Sequence, residues 1–207
     1  MLKKWILCGA LLFSMASVDA QQLRTPQPSP TQTVKQDFGI GNIELSYSRP
    51  AVRGRKVFGD LVPYGNVWRT GANNPTLLTF SEEVMVGGTK VPAGKYGLLS
   101  IPDKDNWTLI LTKQLDVTSP AAYKQESDVV RVTAKPVTLK EPVETFTIQF
   151  ANVKPASTDL QIMWDNVAVS LPITMDVDGK VMAQINNAMN RDNRPYFQSA
   201  MYYLENG

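Results

Sequence analysis

Arginines and aromatic residues crowd into one short stretch of this sequence. Residues 47–76, YSRPAVRGRKVFGDLVPYGNVWRTGANNPT, contain four arginines and one lysine against a single carboxylate, Asp60. Guanidinium groups bind carboxylate or sulfate oxygens in pairs, and aromatic rings stack on sugar rings. The segment therefore meets either carboxylates of its own protein or an anion from outside. The candidate ligand-binding residues are Tyr47, Arg53, Arg55, Lys56, Tyr64, Trp68, Arg69 and Asn73.

The favoured interpretation of residues 47–76 is structural. Their glycines and prolines indicate a long ordered loop, which has few ladder hydrogen bonds, so its buried carbonyl groups need other donors. Arginine offers five N–H donors in a rigid fork and can bridge carbonyls and carboxylates. We therefore expect an internal clamp, in which these arginines are buried with partners such as Glu44 or Asp60. The expected core-facing anchors of the loop are Val57, Phe58, Leu61, Val62, Val67 and Trp68.

Two functional alternatives remain for the same loop. The first is a binding module for anionic glycans or other anions. The second is a polysaccharide lyase that needs no histidine, in which Tyr47 or Tyr64 removes the proton next to a uronic acid carboxylate while arginines and Asn73 neutralise that carboxylate. Nearby arginines would lower the pKa of the tyrosine, which is the direction a base needs.

Several catalytic chemistries are excluded by composition. The chain has no histidine, and its one cysteine is Cys8. Ser-His-Asp and Cys-His catalysis, HExxH metalloproteases and the usual zinc sites all need imidazole or thiolate groups. TMDVDG resembles the start of a calcium loop, but Ile185 stands where the bidentate Glu belongs, so we read Asp176 as a helix cap. We expect no cofactor and no metal site, and a protein that is not an enzyme.

The first residues predict export. Lys3 and Lys4 precede an apolar run over residues 5–15, and Val18-Asp19-Ala20 fits a signal-peptidase site, which predicts a signal peptide over residues 1–20 with cleavage between Ala20 and Gln21. The mature protein is then secreted or periplasmic, with no stable membrane insertion. Residues 21–31 are proline-rich and predict a linker.

Charge and size limit the partners. Lys and Arg number 21 against 19 Asp and Glu, a net charge of +2, which argues against nucleic acid as a partner. A secreted chain without cysteine must rely on its core, and a chain of this length can form one. The partner is not defined by the sequence; an anionic glycan or another envelope protein fits the expected location.

Closely spaced strand signals dominate the middle of the chain. They predict an antiparallel β-sandwich or barrel-like domain over residues 32–175, and helical spacing predicts a C-terminal α-helical hairpin over residues 176–207. A short helical turn is expected within residues 119–127. The predicted strands are residues 33–38, 43–48, 76–81, 83–86, 96–101, 107–112, 129–133, 144–150, 158–164 and 166–173.

The same region resembles a known family. The string YSRP…GR…FG…LVPYG…VWRTGAN, followed by VGGTKVPAGKYGLLSIPDKDNWTLIL, is similar to the secreted bacterial family catalogued as domain of unknown function 2911. The resemblance covers residues 31–173. It implies a signal peptide and a β-rich domain, commonly in Bacteroidetes-type bacteria. Since the family has no established activity, the resemblance implies a fold and a location but no reaction.

Overall fold

The computed structural model describes residues 25–190 and 194–206. Two antiparallel sheets are followed by two helices. The strands are β1 Thr31–Phe38, β2 Gly41–Ser48, β3 Thr76–Phe80, β4 Val84–Val86, β5 Thr89–Val91, β6 Gly94–Ile101, β7 Trp107–Thr112, β8 Asp128–Ala134, β9 Val137–Lys154 and β10 Ser157–Thr174. The helices are α1 Val177–Met189 and α2 Tyr196–Asn206.

The two sheets form a sandwich. The larger sheet has the strand order β1-β2-β3-β6-β7-β8, and the smaller one has the order β5-β4-β10-β9. The sheets are not closed into a barrel, so the sandwich is the correct one of the two predicted architectures. The expected signal peptide, residues 1–20, lies outside the described residues.

Alternating apolar residues explain why these segments form two packed sheets. In β10, Leu160, Ile162 and Trp164 are buried while the residues between them are partly exposed. In β2, Ile43 and Leu45 face the same interior. Because neighbouring side chains of a strand point to opposite faces, one face of each sheet forms the common core.

Most strand predictions are confirmed, and the differences have physical reasons. The three-residue strand β5 was not expected, since it is too short to show a period. Predicted strands 158–164 and 166–173 form the single strand β10, because Asp165 sits at an irregularity with a left-handed backbone, φ 53°, and pairing with β9 continues on both sides. The expected helical turn appears as two 3₁₀ turns, Pro120–Ala122 and Gln125–Ser127.

The predicted helical hairpin is present, and α1 contacts the sheets. Asp176 caps α1 as expected, since its carboxylate accepts a hydrogen bond from the Gly179 N–H at 3.0 Å. Lys180 pairs with Glu82 at 2.8 Å. Within the described part of the chain, neither helix is long and apolar enough to cross a membrane.

Candidate anion-binding cavity

The arginine-rich loop connects β2 to β3 of the larger sheet and also forms hydrogen bonds with β9 of the smaller sheet. Its first part runs beside β9, where the Val52 N–H donates to the Glu144 carbonyl and the Phe146 N–H donates to the Pro50 carbonyl, both at 2.8 Å. Its second part reaches β6, where Trp68 and Ser100 exchange backbone hydrogen bonds of 2.7 and 2.9 Å. These bonds fix both halves of the loop on regular strands.

An aromatic cluster anchors the loop to the core. The Phe58 ring lies 4.9 Å from that of Trp107, and the Trp68 ring lies 5.2 Å from that of Phe146. Trp68 also stacks on Trp164 at 5.9 Å with an angle of 16° between the rings. Such aromatic pairs contribute about 0.5–1.5 kcal/mol each beyond the area they bury.

The loop has a strained backbone at three positions. Arg53, Thr70 and Asn73 have φ values of 50°, 52° and 57°, a left-handed conformation that side chains other than glycine rarely adopt. Thr70 is held in place because its hydroxyl donates to the Ser100 hydroxyl at 2.9 Å and its carbonyl accepts from the Thr76 hydroxyl at 2.6 Å. Strain of this kind costs about 1–3 kcal/mol per residue and clusters at functional sites.

A cavity of about 430 Å³ lies against this loop. Its size falls in the range of small-molecule sites. Its lining comes from residues 28–29, 50–51, 61–63, 66–69, 71–72 and 117–120, together with Arg53, Arg55 and Trp164.

Three arginines line the cavity, and the described residues supply them with carbonyl partners. Arg53 Nη2 donates to the carbonyl of Pro28 at 3.2 Å. Arg55 donates twice within its own loop, from Nε to the Val52 carbonyl at 3.0 Å and from Nη2 to the Ala51 carbonyl at 2.6 Å.

Arg69 completes the set from the other side of the loop. Its Nη1 donates to the carbonyl of Thr118, a residue of the opposite wall. The Nε of Arg69 is buried and has no hydrogen-bond partner among the described residues, and the same holds for Nε1 of Trp164. Leaving a buried donor unpaired costs about 1–3 kcal/mol, so these two groups are exceptions that need a reason.

No described carboxylate neutralises the cavity arginines. The lining contains no Asp or Glu, and no described acidic side chain lies within 4.0 Å of a nitrogen of these three guanidinium groups. The expected clamp partners Glu44 and Asp60 form neither an ion pair nor a side-chain hydrogen bond with them. Glu144 is nearby, but its carboxylate accepts the backbone N–H of Arg53 at 2.9 Å.

The comparisons with known proteins agree with the sequence motif. The family model described as "Protein of unknown function (DUF2911)" matches residues 29–173. The chain belongs to the DUF2911 family. Searches of curated proteins and of solved structures found no match. The DUF2911 match covers the arginine-rich loop, Trp164 and the wall at residues 117–120, so nearly the whole cavity lies within the family domain.

The DUF2911 fold brings half of the candidate residues to the cavity. Arg53, Arg55, Trp68 and Arg69 line it. Asn73 lies beside it, where its Nδ2 donates to the carbonyl of Ser29 at 3.1 Å and holds part of the wall.

The other candidates lie elsewhere. Lys56 is exposed and outside the lining. Tyr64 also lies outside it, packed over Gly59, whose backbone has φ 83° and whose missing side chain leaves room for the tyrosine ring. Tyr47 is buried between the sheets at the start of the loop, away from this lining.

Tyr47 belongs to a separate structural contact with β9. Its hydroxyl lies 3.0 Å from both the Ile148 carbonyl and Gln32 Oε1, and it accepts the Ile148 N–H at 3.0 Å. Arg49 continues this contact, donating to the Phe146 carbonyl at 3.1 Å and to the Thr147 hydroxyl at 2.9 Å. We call Tyr47 and Arg49 with these β9 partners the seam.

The seam does not suit Tyr47 as a base. Burial raises its pKa above the ordinary value, and the hydrogen bond from Ile148 and the charge of Arg49 lower it by less. The lyase alternative needs the opposite direction, and neither of its two tyrosines lines the cavity. The described residues also contain no group of three or more Asp, Glu, His or Cys side chains that could hold a metal ion.

Three parts of the cavity were missed by sequence reasoning. Pro28 and Ser29 had been assigned to the linker, yet their carbonyls accept hydrogen bonds from the loop. Residues 117–120 and Trp164 come from distant parts of the chain. The proline-rich composition of residues 26–30 gave no sign of this contact, because carbonyl groups are present in every sequence.

Proposed function

We propose that this DUF2911 domain is a non-enzymatic binding module that takes up small anions in the arginine-lined cavity. One observation supports the proposal above the others: three arginines and no carboxylate line the same cavity. An uncompensated group of positive charges attracts anions, and low-dielectric walls strengthen that attraction.

The unused donors of these arginines add to this support. Each guanidinium group has five N–H donors. Protein carbonyls take one from Arg53, two from Arg55 and one from Arg69. The remaining donors have no partner among the described residues and can bind an oxyanion, and each existing bond restricts its side chain, which lowers the entropy lost on binding.

An exported binding module fits the predicted signal peptide. Acidic glycans, which the sequence suggested, are one ligand class at that location. N-terminal sequencing of the protein after export from its bacterium tests this part; a mature chain beginning at Gln21 is expected, and a retained segment 1–20 would contradict it.

Calorimetric titration of the full-length chain tests the binding itself. The probes are sulfate, galacturonate and octanoate, with glucose and octanamide as neutral controls. At least one anion is expected to bind, and its affinity should fall as salt increases because the attraction is screened. If none of the three anions binds, the proposal fails.

A matched pair of variants ties the binding to the cavity. Arg55→Met and Lys56→Met remove equal charge from adjacent exposed residues, of which Arg55 alone lines the cavity. We expect Arg55→Met to weaken binding about tenfold, the size of one charged hydrogen bond, and Lys56→Met to change it less than about twofold. Equal losses in both variants would mean that general surface charge attracts the anion.

A further inference from the structure

We infer that the ligand of this cavity is an amphiphilic carboxylate, with one anionic group on an apolar body, rather than a sugar acid. The inference rests on the proposed anion-binding function and narrows its ligand class. It depends on how charge and apolar surface are distributed between the rim and the floor of the cavity.

The walls are mainly apolar. Four prolines, three valines and Leu61 contribute to the lining, and the rings of Trp68 and Trp164 complete it. Apart from the arginines, the polar side chains are Ser29, Asn66, Thr118 and Ser119. A sugar acid carries a hydroxyl on nearly every carbon, and each hydroxyl buried against an apolar wall loses its hydrogen bonds to water.

The charged side chains of the lining are exposed or half-buried, and its fully buried residues, which form the floor, are apolar. Arg53 and Arg55 are exposed, and Arg69 is half-buried. The floor residues Val117 and Trp164 are almost fully buried, at 1% and 2% exposure. A ligand that matches this gradient keeps its carboxylate at the guanidinium groups and directs its apolar body to the floor.

This arrangement predicts how binding affinity depends on the length of the ligand's aliphatic chain. Each methylene removed from water strengthens binding about fourfold. A long aliphatic carboxylate therefore binds far more tightly than a short one, although both carry the same charge. A sugar acid of equal charge gains nothing comparable from apolar walls.

Calorimetric titration of the full-length chain with four probes tests the inference. Octanoate is compared with acetate, which lacks the apolar body, with octanamide, which lacks the charge, and with galacturonate, whose body carries hydroxyls. We expect octanoate to bind at least about tenfold more tightly than each of the other three.

Two variants locate the apolar body. Leu61, expected as a core-facing anchor, is instead 42% exposed and lines the cavity, while Leu115 is 39% exposed and lies outside the lining. Since both are surface residues, either change to serine should leave the fold intact. Leu61→Ser is expected to weaken octanoate binding about fivefold and to leave galacturonate binding unchanged, while Leu115→Ser changes neither.

The outcomes separate this inference from the proposed function. If galacturonate or sulfate binds as tightly as octanoate, the cavity still binds anions, but the amphiphilic class is overturned. Equal binding of octanoate and octanamide would overturn the role of charge. If no anion binds at all, both the proposed function and this inference fail.

Discussion

Two regions of the same loop use arginine differently. At the seam, Arg49 and Tyr47 donate and accept hydrogen bonds with backbone groups of β9, and burial raises the pKa of Tyr47. At the cavity, Arg53, Arg55 and Arg69 bond to carbonyls of irregular segments and leave other donors unused.

The difference shows that residue type alone does not distinguish an internal structural clamp from a ligand-binding site. The two differ in how many hydrogen-bond partners the protein itself places within reach of the side chain. The edge of β9 presents unpaired backbone groups in a regular row. The donors and acceptors of a side chain placed there therefore form hydrogen bonds with the backbone. The side chains of the prolines, valines and tryptophans in the cavity wall cannot accept guanidinium protons. Under the proposed function, the charge at the cavity is left for a ligand.

The largest expected effect comes from the residue that both regions share. Phe146 is fully buried and contacts Tyr47 of the seam and Trp68 of the cavity wall. Phe146→Ala should cost about 3–5 kcal/mol of unfolding free energy, measured by urea denaturation, because a large core side chain is lost. The control is Phe197→Ala on α2, which is 74% exposed and should change stability by less than about 0.5 kcal/mol. Similar losses in both variants would contradict this placement.

The seam is tested next by Tyr47→Phe. Loss of the hydroxyl leaves the Ile148 N–H and carbonyl without this partner, which should cost about 1–3 kcal/mol of unfolding free energy. Binding of the anion should be unchanged in the same preparation, since Tyr47 lies outside the cavity lining. A large loss of affinity with little loss of stability would reverse the roles assigned to the two regions.

The cavity is tested by Arg69→Met. Anion affinity should fall about tenfold, since the half-buried guanidinium group contributes a charged hydrogen bond. Unfolding free energy should fall by less than about 1 kcal/mol, because the protein contact that is lost is one bond to the Thr118 carbonyl. If Arg69→Met destabilises the protein more than Tyr47→Phe does, Arg69 belongs to the clamp and the comparison fails.

The smallest expected effect is a loss of stability at high pH, caused by Tyr123 beside one wall of the cavity. Tyr123 bonds to Asp128 and Arg131 behind the wall segment, and burial followed by the Asp128 carboxylate raises its pKa from 10.0 to about 12. The neutral phenol is thus favoured in the fold. The contribution of the neutral Tyr123 phenol to stability is complete below pH 10.0 and disappears as pH rises through about 12. Tyr123→Phe should therefore lose less stability than the wild type in that interval, by urea unfolding; identical pH profiles would contradict the raised pKa.

The sequence predicted the fold well because turns interrupt it regularly. Gly87-Gly88 and Asp103-Lys104-Asp105-Asn106 mark strand ends that the structure retains. Asp165, which separates two predicted strands, was misleading, since a turn-forming residue can also occupy a strand irregularity. The first part of β9 was missed because Lys140, Glu141 and Pro142 interrupt its pattern, as an edge strand permits.

The candidate site could be predicted only in part. The local excess of arginine identified the loop, but not which way each side chain points. Arg55 and Lys56 are neighbours with the same charge, and only Arg55 lines the cavity. The opposite wall comes from residues 117–120, whose approach depends on packing of Val117 with Leu99 and Ile110 on the outer face of β6 and β7. No local pattern encodes that long-range contact.

The most direct test of the central claim compares two sets of arginines in one experiment. Urea unfolding and octanoate titration are measured for Arg49→Met and for the combined variant Arg53→Met, Arg55→Met, Arg69→Met. The account predicts that Arg49→Met loses stability and still binds, while the combined variant, in which four hydrogen bonds to carbonyls are lost, loses about 2 kcal/mol and no longer binds. A loss of about 3–5 kcal/mol in the combined variant, together with a wild type that binds no anion, would show that these arginines hold the fold and serve no ligand.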